Sequence, residues 1–323
     1  MEKETKNKEE NYFLLVAESL LIGIITGCII AFFRFSISNV SKLTQNVFEF
    51  ITLHNKFYFL LLTPLFAVFG LIMGIIIKKY PMIKGGGVAQ IEGVFMKRLK
   101  LSTWPELPLK FIGGVMDIGL GLSLGREGPS VQIGAYIGDA IEKMGKRSFT
   151  ERVCLITAGA AAGLSGTFSA PFAGILFAIE DLHQYFNPLL LACVMAGSFA
   201  SDFMVGIFFG DNNAFNLIAT KNFPVNQLIF LVGLGIIVAI IGHIFKKSIY
   251  TSQAFYKSLH IPLHLQPIIP FLLVIPFYIV FGYVNGGGDA LIEAVKEHNF
   301  SIAMLCLLLF AKLMFTGLSA GSG

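Results

Sequence analysis

Long apolar segments separated by short polar ones run through most of the chain. A transmembrane helix needs about 20 predominantly apolar residues, and six segments are close to that length. We therefore predict an all-α polytopic membrane protein whose main surroundings are the lipid bilayer. The predicted spans are Phe13–Phe33, Phe57–Ile77, Pro188–Phe209, Leu228–Phe245, Ile268–Val284 and the shorter Ser301–Phe315.

Two further apolar stretches, Leu107–Leu124 and Val153–Ile179, are interrupted by glycine, and the second is also rich in alanine and serine. Small residues allow helix backbones to approach each other closely inside a membrane protein. These stretches are therefore expected to pack against other helices rather than against lipid.

Composition supports the membrane assignment. The chain is 55% hydrophobic and only 14% charged, whereas a soluble domain carries about 25% charged residues. The net charge of +4 is unremarkable, and we expect no nucleic-acid partner. The first residues, Met1–Asn11, are charged and lack a signal-peptide pattern. We expect a multi-pass protein of the cell membrane with its N-terminus in the cytoplasm.

Two stretches of the chain repeat each other. Residues 85–94 and 286–295 agree at seven of ten positions, 201 residues apart (286 − 85), and both begin with three glycines. Residues 121–125 and 317–321 agree at four of five positions, 196 residues apart (317 − 121). Transporters built from inverted repeats place Gly-broken helices near the bilayer midplane. We therefore expect inverted repeats of broken and re-entrant helices.

The repeat also sets the expected domain organisation. It consists of a cytoplasmic N-terminal tail at residues 1–12, a first membrane repeat at 13–210 and a second at 211–323. The second copy reaches Gly323, which matches Glu127 under the offset of 196. The second repeat is accordingly expected to be incomplete.

The motif Gly125-Arg126-Glu127-Gly128-Pro129 lies between apolar stretches and precedes a helix-like run. Proline favours the first turn of a helix, so Glu127 is predicted to lie at a helix start. The unpaired N–H groups there attract anions. A carboxylate at this position can occupy an anion site, or leave it by moving away or by taking a proton. The motif therefore indicates a gate on an anion path.

On these residues the chain resembles the CLC family of chloride channels and proton-coupled chloride antiporters. Gly125–Pro129 matches the family's Gly-Arg-Glu-Gly-Pro motif, and Ala170–Glu180 resembles the segment that follows it in the family. Gly85–Glu92 is similar to the Gly-Ser-Gly-Ile-Pro region, and Ser319–Gly323 to the approach to a Gly-Ile-Phe-x-Pro motif. The resemblance covers almost all of Phe13–Gly323.

The resemblance implies the function and the role of each residue. The function would be anion transport, with chloride exchanged for protons, and the protein could be a homodimer. Glu127 would be the external gating glutamate, and Asp181 the inner acid that relays protons from the cytoplasm. For Arg126, pairing with a carboxylate or with backbone carbonyls stays an alternative to anion contact. The implied anion-binding residues are Gly85, Gly86, Gly87, Arg126 and Gly128.

Departures from the family pattern leave alternatives open. Gly86 stands where most members have a serine whose hydroxyl binds the central anion, so a fluoride or nitrate preference is possible. Ala89 replaces the proline of that motif. A passive anion channel is one alternative. Another, drawn from the stop at Gly323, is a transport-incompetent fragment or half of a split protein.

Other kinds of chemistry find no support in the sequence. The four cysteines are scattered through apolar segments without the spacing of a disulfide or zinc site. The glycine triplets follow no predicted strand and lack the Lys-Ser/Thr of a phosphate-binding loop. No Ser-His-Asp or Cys-His arrangement suggests hydrolysis. We expect no metal, no cofactor and no enzymatic activity.

Overall fold

The computed structural model describes residues 2–54, 56–145, 147–210 and 228–323, which are mostly helical. Short 3₁₀ turns occur at Lys56–Tyr58, Pro81–Ile83 and Leu263–Leu265, and a π-helical segment occurs at Ala178–His183. The helices are α1 Glu2–His54, α2 Phe59–Lys79, α3 Val88–Phe95, α4 Thr103–Gly119, α5 Glu127–Glu142, α6 Phe149–Phe168, α7 Pro171–Phe177, α8 Pro188–Phe209, α9 Leu228–Ser258, α10 Ile268–Phe281, α11 Asp289–Glu297 and α12 Ile302–Ser322.

Six of the described helices are long and apolar enough to cross a membrane. Each contains most of one span predicted from the sequence, so those six predictions are confirmed. Residues 2–12, predicted as a tail, continue α1 at its N-terminal end. The predicted start of the second repeat, residue 211, lies outside the described residues. The six helices cover Asn11–His54, Phe59–Lys79, Pro188–Phe209, Leu228–Ser258, Leu263–Phe281 and Ile302–Ser322.

The described residues form two compact units that interleave along the sequence. The first unit contains residues 2–42, 80–119 and 126–210, and the second contains residues 43–79, 120–125 and 228–323. The helix α1 contributes to both. The predicted boundaries at residues 13 and 210 stay predictions.

The first unit is built around α6, which packs against α5 and α8. A Cβ atom on Gly134 of α5 would overlap the carbonyl of Gly159 on α6, so the backbones meet without side chains between them. Ser165 and Ser201 donate hydrogen bonds across the contact with α8, at 2.8 and 2.7 Å, to the carbonyls of Ser198 and Ala162 respectively. The small residues of this stretch therefore mediate helix packing, as predicted.

Buried polar contacts hold the C-terminal part of α5. Asp139 is fully buried and accepts hydrogen bonds from Thr103 at 3.0 Å, Lys143 at 2.5 Å and Arg152 at 2.9 Å. A buried carboxylate is tolerated when it is paired and hydrogen-bonded in this way. These contacts tie the C-terminal part of α5 to the starts of α4 and α6. They therefore help to fix the position of α5, whose N-terminal end is Glu127.

The core of the second unit contains a group of aromatic side chains. Phe48 lies against Phe59, Phe66 and Tyr278, with its ring centroid 4.5 Å from that of Tyr278. Residues 120–125 join this unit through main-chain and side-chain bonds. Gly286 N–H donates to the Gly121 carbonyl at 3.1 Å, and the hydroxyls of Ser123 and Thr316 are 2.6 Å apart.

Candidate anion and proton sites

The helix α5 begins at Glu127, as the motif predicted. The Arg126 carbonyl accepts the Ser130 N–H at 3.2 Å and the Ser130 hydroxyl at 2.8 Å, which closes the first helical turn. Pro129 has no N–H, so Glu127 and Gly128 supply the N–H groups that a helix leaves unpaired in its first turn. The positive end of the helix dipole acts at the same place.

Gly128 brings this helix start into contact with the first glycine triplet. A Cβ on Gly128 would lie 2.6 Å from the Gly86 carbonyl oxygen and 2.7 Å from the Gly86 Cα. These distances are well below ordinary van der Waals contact, so only glycine permits this approach. The two motifs singled out in the sequence, about 40 residues apart, therefore meet in one place.

Four successive carbonyls lead into the glycine triplet, and each accepts a hydrogen bond from a side chain. The donors come from α3, α4 and α5. Because a trans peptide points its C=O and N–H in opposite directions, each donor leaves the N–H of the peptide that it binds pointing away from it. The pairs are Met82 with Gln132 Nε2 at 2.6 Å, Ile83 and Gly85 with Lys110 Nζ at 2.8 and 2.5 Å, and Lys84 with Gln90 Nε2 at 2.5 Å.

The N–H groups of Gly85 and Gly86 have no hydrogen-bond partner among the described residues. Gly85 and Gly87 have positive φ angles of 68° and 86°, which favour glycine. A Cβ placed on Gly86 would meet open space. Successive N–H groups in such turns form concave anion-binding sites. This turn and the start of α5 are therefore a candidate anion site.

The second glycine triplet has the same local construction inside its own unit. Lys312 Nζ donates to the Val284 carbonyl at 2.8 Å and to the Gly286 carbonyl at 2.7 Å. Gly286 and Gly288 have positive φ angles of 72° and 109°, as Gly85 and Gly87 do. The repeat detected in the sequence thus extends to the backbone and to the lysine that holds it.

Asp181 lies far along the chain from these donors, on the π-helical segment that follows α7. Its side chain is exposed and lines a cavity of about 410 Å³ together with Glu92 and His183. Interruptions of this kind in α-helices occur often at functional sites. The cavity is large enough for several water molecules, and it gives the Asp181 carboxyl access to solvent.

His183 is the basic group in the lining of this cavity. Its ring stacks on Phe95, and its Nε2 lies 2.7 Å from the Thr157 hydroxyl oxygen. The Thr157 hydroxyl donates its single proton to the Val153 carbonyl at 2.7 Å. His183 is therefore the donor to Thr157, which leaves Nδ1 to accept a proton. Burial lowers the pKa of His183 below its ordinary value.

The structure brings together some of the sequence-predicted residues and leaves others apart. Gly128, which follows Glu127 in the chain, lies against Gly86 of the Gly85–Gly87 turn, and Asp181 lines the cavity. Arg126 contributes its carbonyl to the first turn of α5 and is half-buried. A direct contact of its guanidinium with an anion stays a prediction.

A sequence model of voltage-gated chloride channels matches residues 69–323. The chain belongs to the voltage-gated chloride channel, or CLC, family. Among its CLC relatives, the H⁺/Cl⁻ exchange transporter ClcA of Yersinia pestis is 30% identical, covering 99% of this chain and 69% of the relative. The ClcA protein of Salmonella arizonae is 29% identical, covering 98% and 68%. The chain thus spans about two thirds of the length of these relatives.

Solved CLC structures share the fold. A slow cyanobacterial Cl⁻/H⁺ antiporter superposes with a TM-score of 0.88 at 22% identity, covering 96% of this chain and 74% of that one. A CLC-type fluoride/proton antiporter gives a TM-score of 0.77 at 22% identity, covering 95% and 76%. A eukaryotic CLC transporter gives 0.75 at 16% identity, covering 96% and 56%.

Sequence reasoning missed the side chains that hold the glycine turn in this CLC chain. Lys110, Gln90 and Gln132 all donate to its carbonyls. For Lys110 a signal was present, since Lys312 follows it by 202 residues (312 − 110), almost the offset of the glycine triplets. Gln90 carries no comparable signal, because Leu291 stands at its matching position (90 + 201). Gln132 has no matching position, because the second copy reaches only Gly323, which matches Glu127.

Proposed function

We propose that this protein transports anions across the cell membrane, and that it exchanges chloride for protons with Glu127 as the gate. The observation that carries the proposal is the contact between Gly128 and Gly86. It brings Gly128, the residue after Glu127 at the start of α5, against a turn whose Gly85 and Gly86 N–H groups have no hydrogen-bond partner among the described residues. In this proposal the turn and the start of α5 bind the anion, and Glu127 is the acid that competes for these donors.

The gate works by competition between two anions. Ionised Glu127 is attracted to the N–H groups at the helix start and excludes chloride from them. When Glu127 takes a proton, its attraction to these donors falls and chloride can bind there. Because each change in occupancy requires a proton to arrive or leave, chloride movement and proton movement become coupled.

Asp181 is the inner proton donor and acceptor in this proposal. Its exposed carboxyl lines a cavity that is large enough for several water molecules, so it can exchange protons with water in that cavity. Aspartate retains an acid at the position where the family's antiporters carry a glutamate. An acid here favours an antiporter over a passive channel, since a channel needs no second proton site.

The test is flux from chloride-loaded liposomes with simultaneous measurement of pH. Replacing Glu127 with glutamine removes the charge and the titratable proton, so we expect chloride flux without coupled proton movement. Glu297→Gln is the matched control, because this carboxyl is exposed at the end of α11, and we expect it to retain coupling. Wild-type proton coupling in Glu127→Gln would contradict the proposed gate.

The same liposomes separate the candidate anions and the alternatives. Gly86 lacks the hydroxyl that most members supply, and backbone N–H groups alone can also suit smaller or differently shaped anions. Chloride, fluoride and nitrate gradients would be compared one at a time. A fixed ratio of protons to anions identifies an antiporter, and anion flux with no proton movement identifies a channel.

A further inference from the structure

Two lysines inside this membrane protein take no part in the gate described above. Lys110 is buried on α4, and Lys312 is partly buried on α12. A cation inside a membrane protein is costly, and it persists when it pairs with acids or with backbone carbonyls. Each of these lysines donates to the first glycine of a triplet and to the residue two positions earlier.

We propose that Lys110 and Lys312 are positioning residues for the backbone N–H groups of the glycine turns. The argument starts from the peptide that joins Gly85 to Gly86. Its carbonyl lies 2.5 Å from Lys110 Nζ, and in a planar trans peptide the N–H points the opposite way. Lys110 therefore holds the Gly86 N–H in an orientation that points away from the ammonium.

The same geometry holds at the second turn. Lys312 Nζ lies 2.7 Å from the Gly286 carbonyl, so the N–H of Gly287 is directed away from Lys312. Glycine turns sample many conformations when nothing restrains them. A charged donor bound to two carbonyls restrains the turn more strongly than a neutral one, because charge-assisted hydrogen bonds are about twice as strong.

The positive charge of Lys110 supports this positioning role, as the geometry does. The Lys110 ammonium lies directly behind the Gly85–Gly86 peptide and polarises it, which makes the Gly86 N–H a better donor to an anion. The inference rests on the proposed anion function, and it assigns the orientation of the anion donors to two side chains that need not touch the anion.

The experiment is chloride titration by calorimetry on purified protein, with thermal unfolding measured in the absence of the anion. Lys110→Met keeps the apolar length of the side chain and removes the donors. We expect its chloride affinity to fall at least about tenfold, equivalent to about 1.4 kcal/mol. We expect Lys312→Met to weaken binding as well. Lys110→Arg retains a charged donor and should recover part of the lost affinity.

Lys100→Met is the matched control, because Lys100 is an exposed lysine outside the helices, and it should leave chloride affinity unchanged. Wild-type affinity in folded Lys110→Met would overturn the inference. If that variant does not fold, wild-type affinity in Lys312→Met would overturn it instead. Equal losses in Lys100→Met would show a general effect of charge. Absence of anion binding in the wild-type protein would overturn the proposed function first, before any lysine variant is compared.

Discussion

Gly128→Ala tests whether the contact between the start of α5 and the glycine turn creates the anion site. The added Cβ would lie 2.6 Å from the Gly86 carbonyl oxygen, whereas ordinary contact begins at 3.4 Å. The helix start and the turn must therefore separate by about 0.8 Å (3.4 − 2.6). Both neighbours are backbone atoms, so no side chain can rotate away to relieve the overlap.

The expected magnitude follows from this overlap. Extra atoms in a well-packed interior cost about 1–3 kcal/mol, and a displacement of about 1 Å at a functional site can lower the rate about a hundredfold. We expect Gly128→Ala to lower the midpoint of thermal unfolding and to reduce coupled chloride flux in liposomes at least about tenfold. Without the overlap, alanine would favour the helix and raise the unfolding midpoint. The overlap is therefore the reason why we expect the unfolding midpoint to fall.

Gly206→Ala is the control. This glycine lies within α8, in the same unit, and a Cβ there would meet no atom within 4 Å. Alanine should be neutral or slightly stabilising at that position and should leave chloride flux unchanged. If Gly128→Ala matched Gly206→Ala in both unfolding midpoint and flux, the contact between Gly128 and Gly86 would have no role in the site.

Two other changes test the site and the cavity. Gly86→Ser places a hydroxyl where the structure has open space, so we expect near wild-type stability and a higher ratio of chloride to fluoride flux in liposomes; an unchanged ratio would mean that the hydroxyl does not reach the anion. His183 has a pKa lowered by burial, so below about pH 6.5 the unfolded state takes up its proton first and the native state loses stability as pH falls. The unfolding midpoint of the wild type relative to His183→Gln should therefore decrease between pH 7 and pH 5, and parallel pH profiles of the two proteins would contradict this.

The hydrophobic pattern was sufficient to predict the six membrane-crossing helices and the all-α class. A lipid interior requires long apolar helices that satisfy their own backbone hydrogen bonds. Each such helix can therefore be predicted from its own stretch of sequence. The start of α5 at Glu127 was also predictable, because Pro129 and the glycines act within one turn. The repeat of the glycine triplets could be read from identity alone, and it led to the expectation of matched backbone turns.

Only the tertiary structure revealed what holds those turns in place. The hydrogen bonds from Lys110 and Gln132 reach carbonyls 25 to 50 residues away along the chain, and such partners depend on how α4 and α5 pack. The same is true of the contact between Gly128 and Gly86, and of the cavity that contains Asp181 and His183. Local patterns specify helices and turns because their interactions span a few residues, whereas a site assembled from several helices depends on distances that arise after they pack.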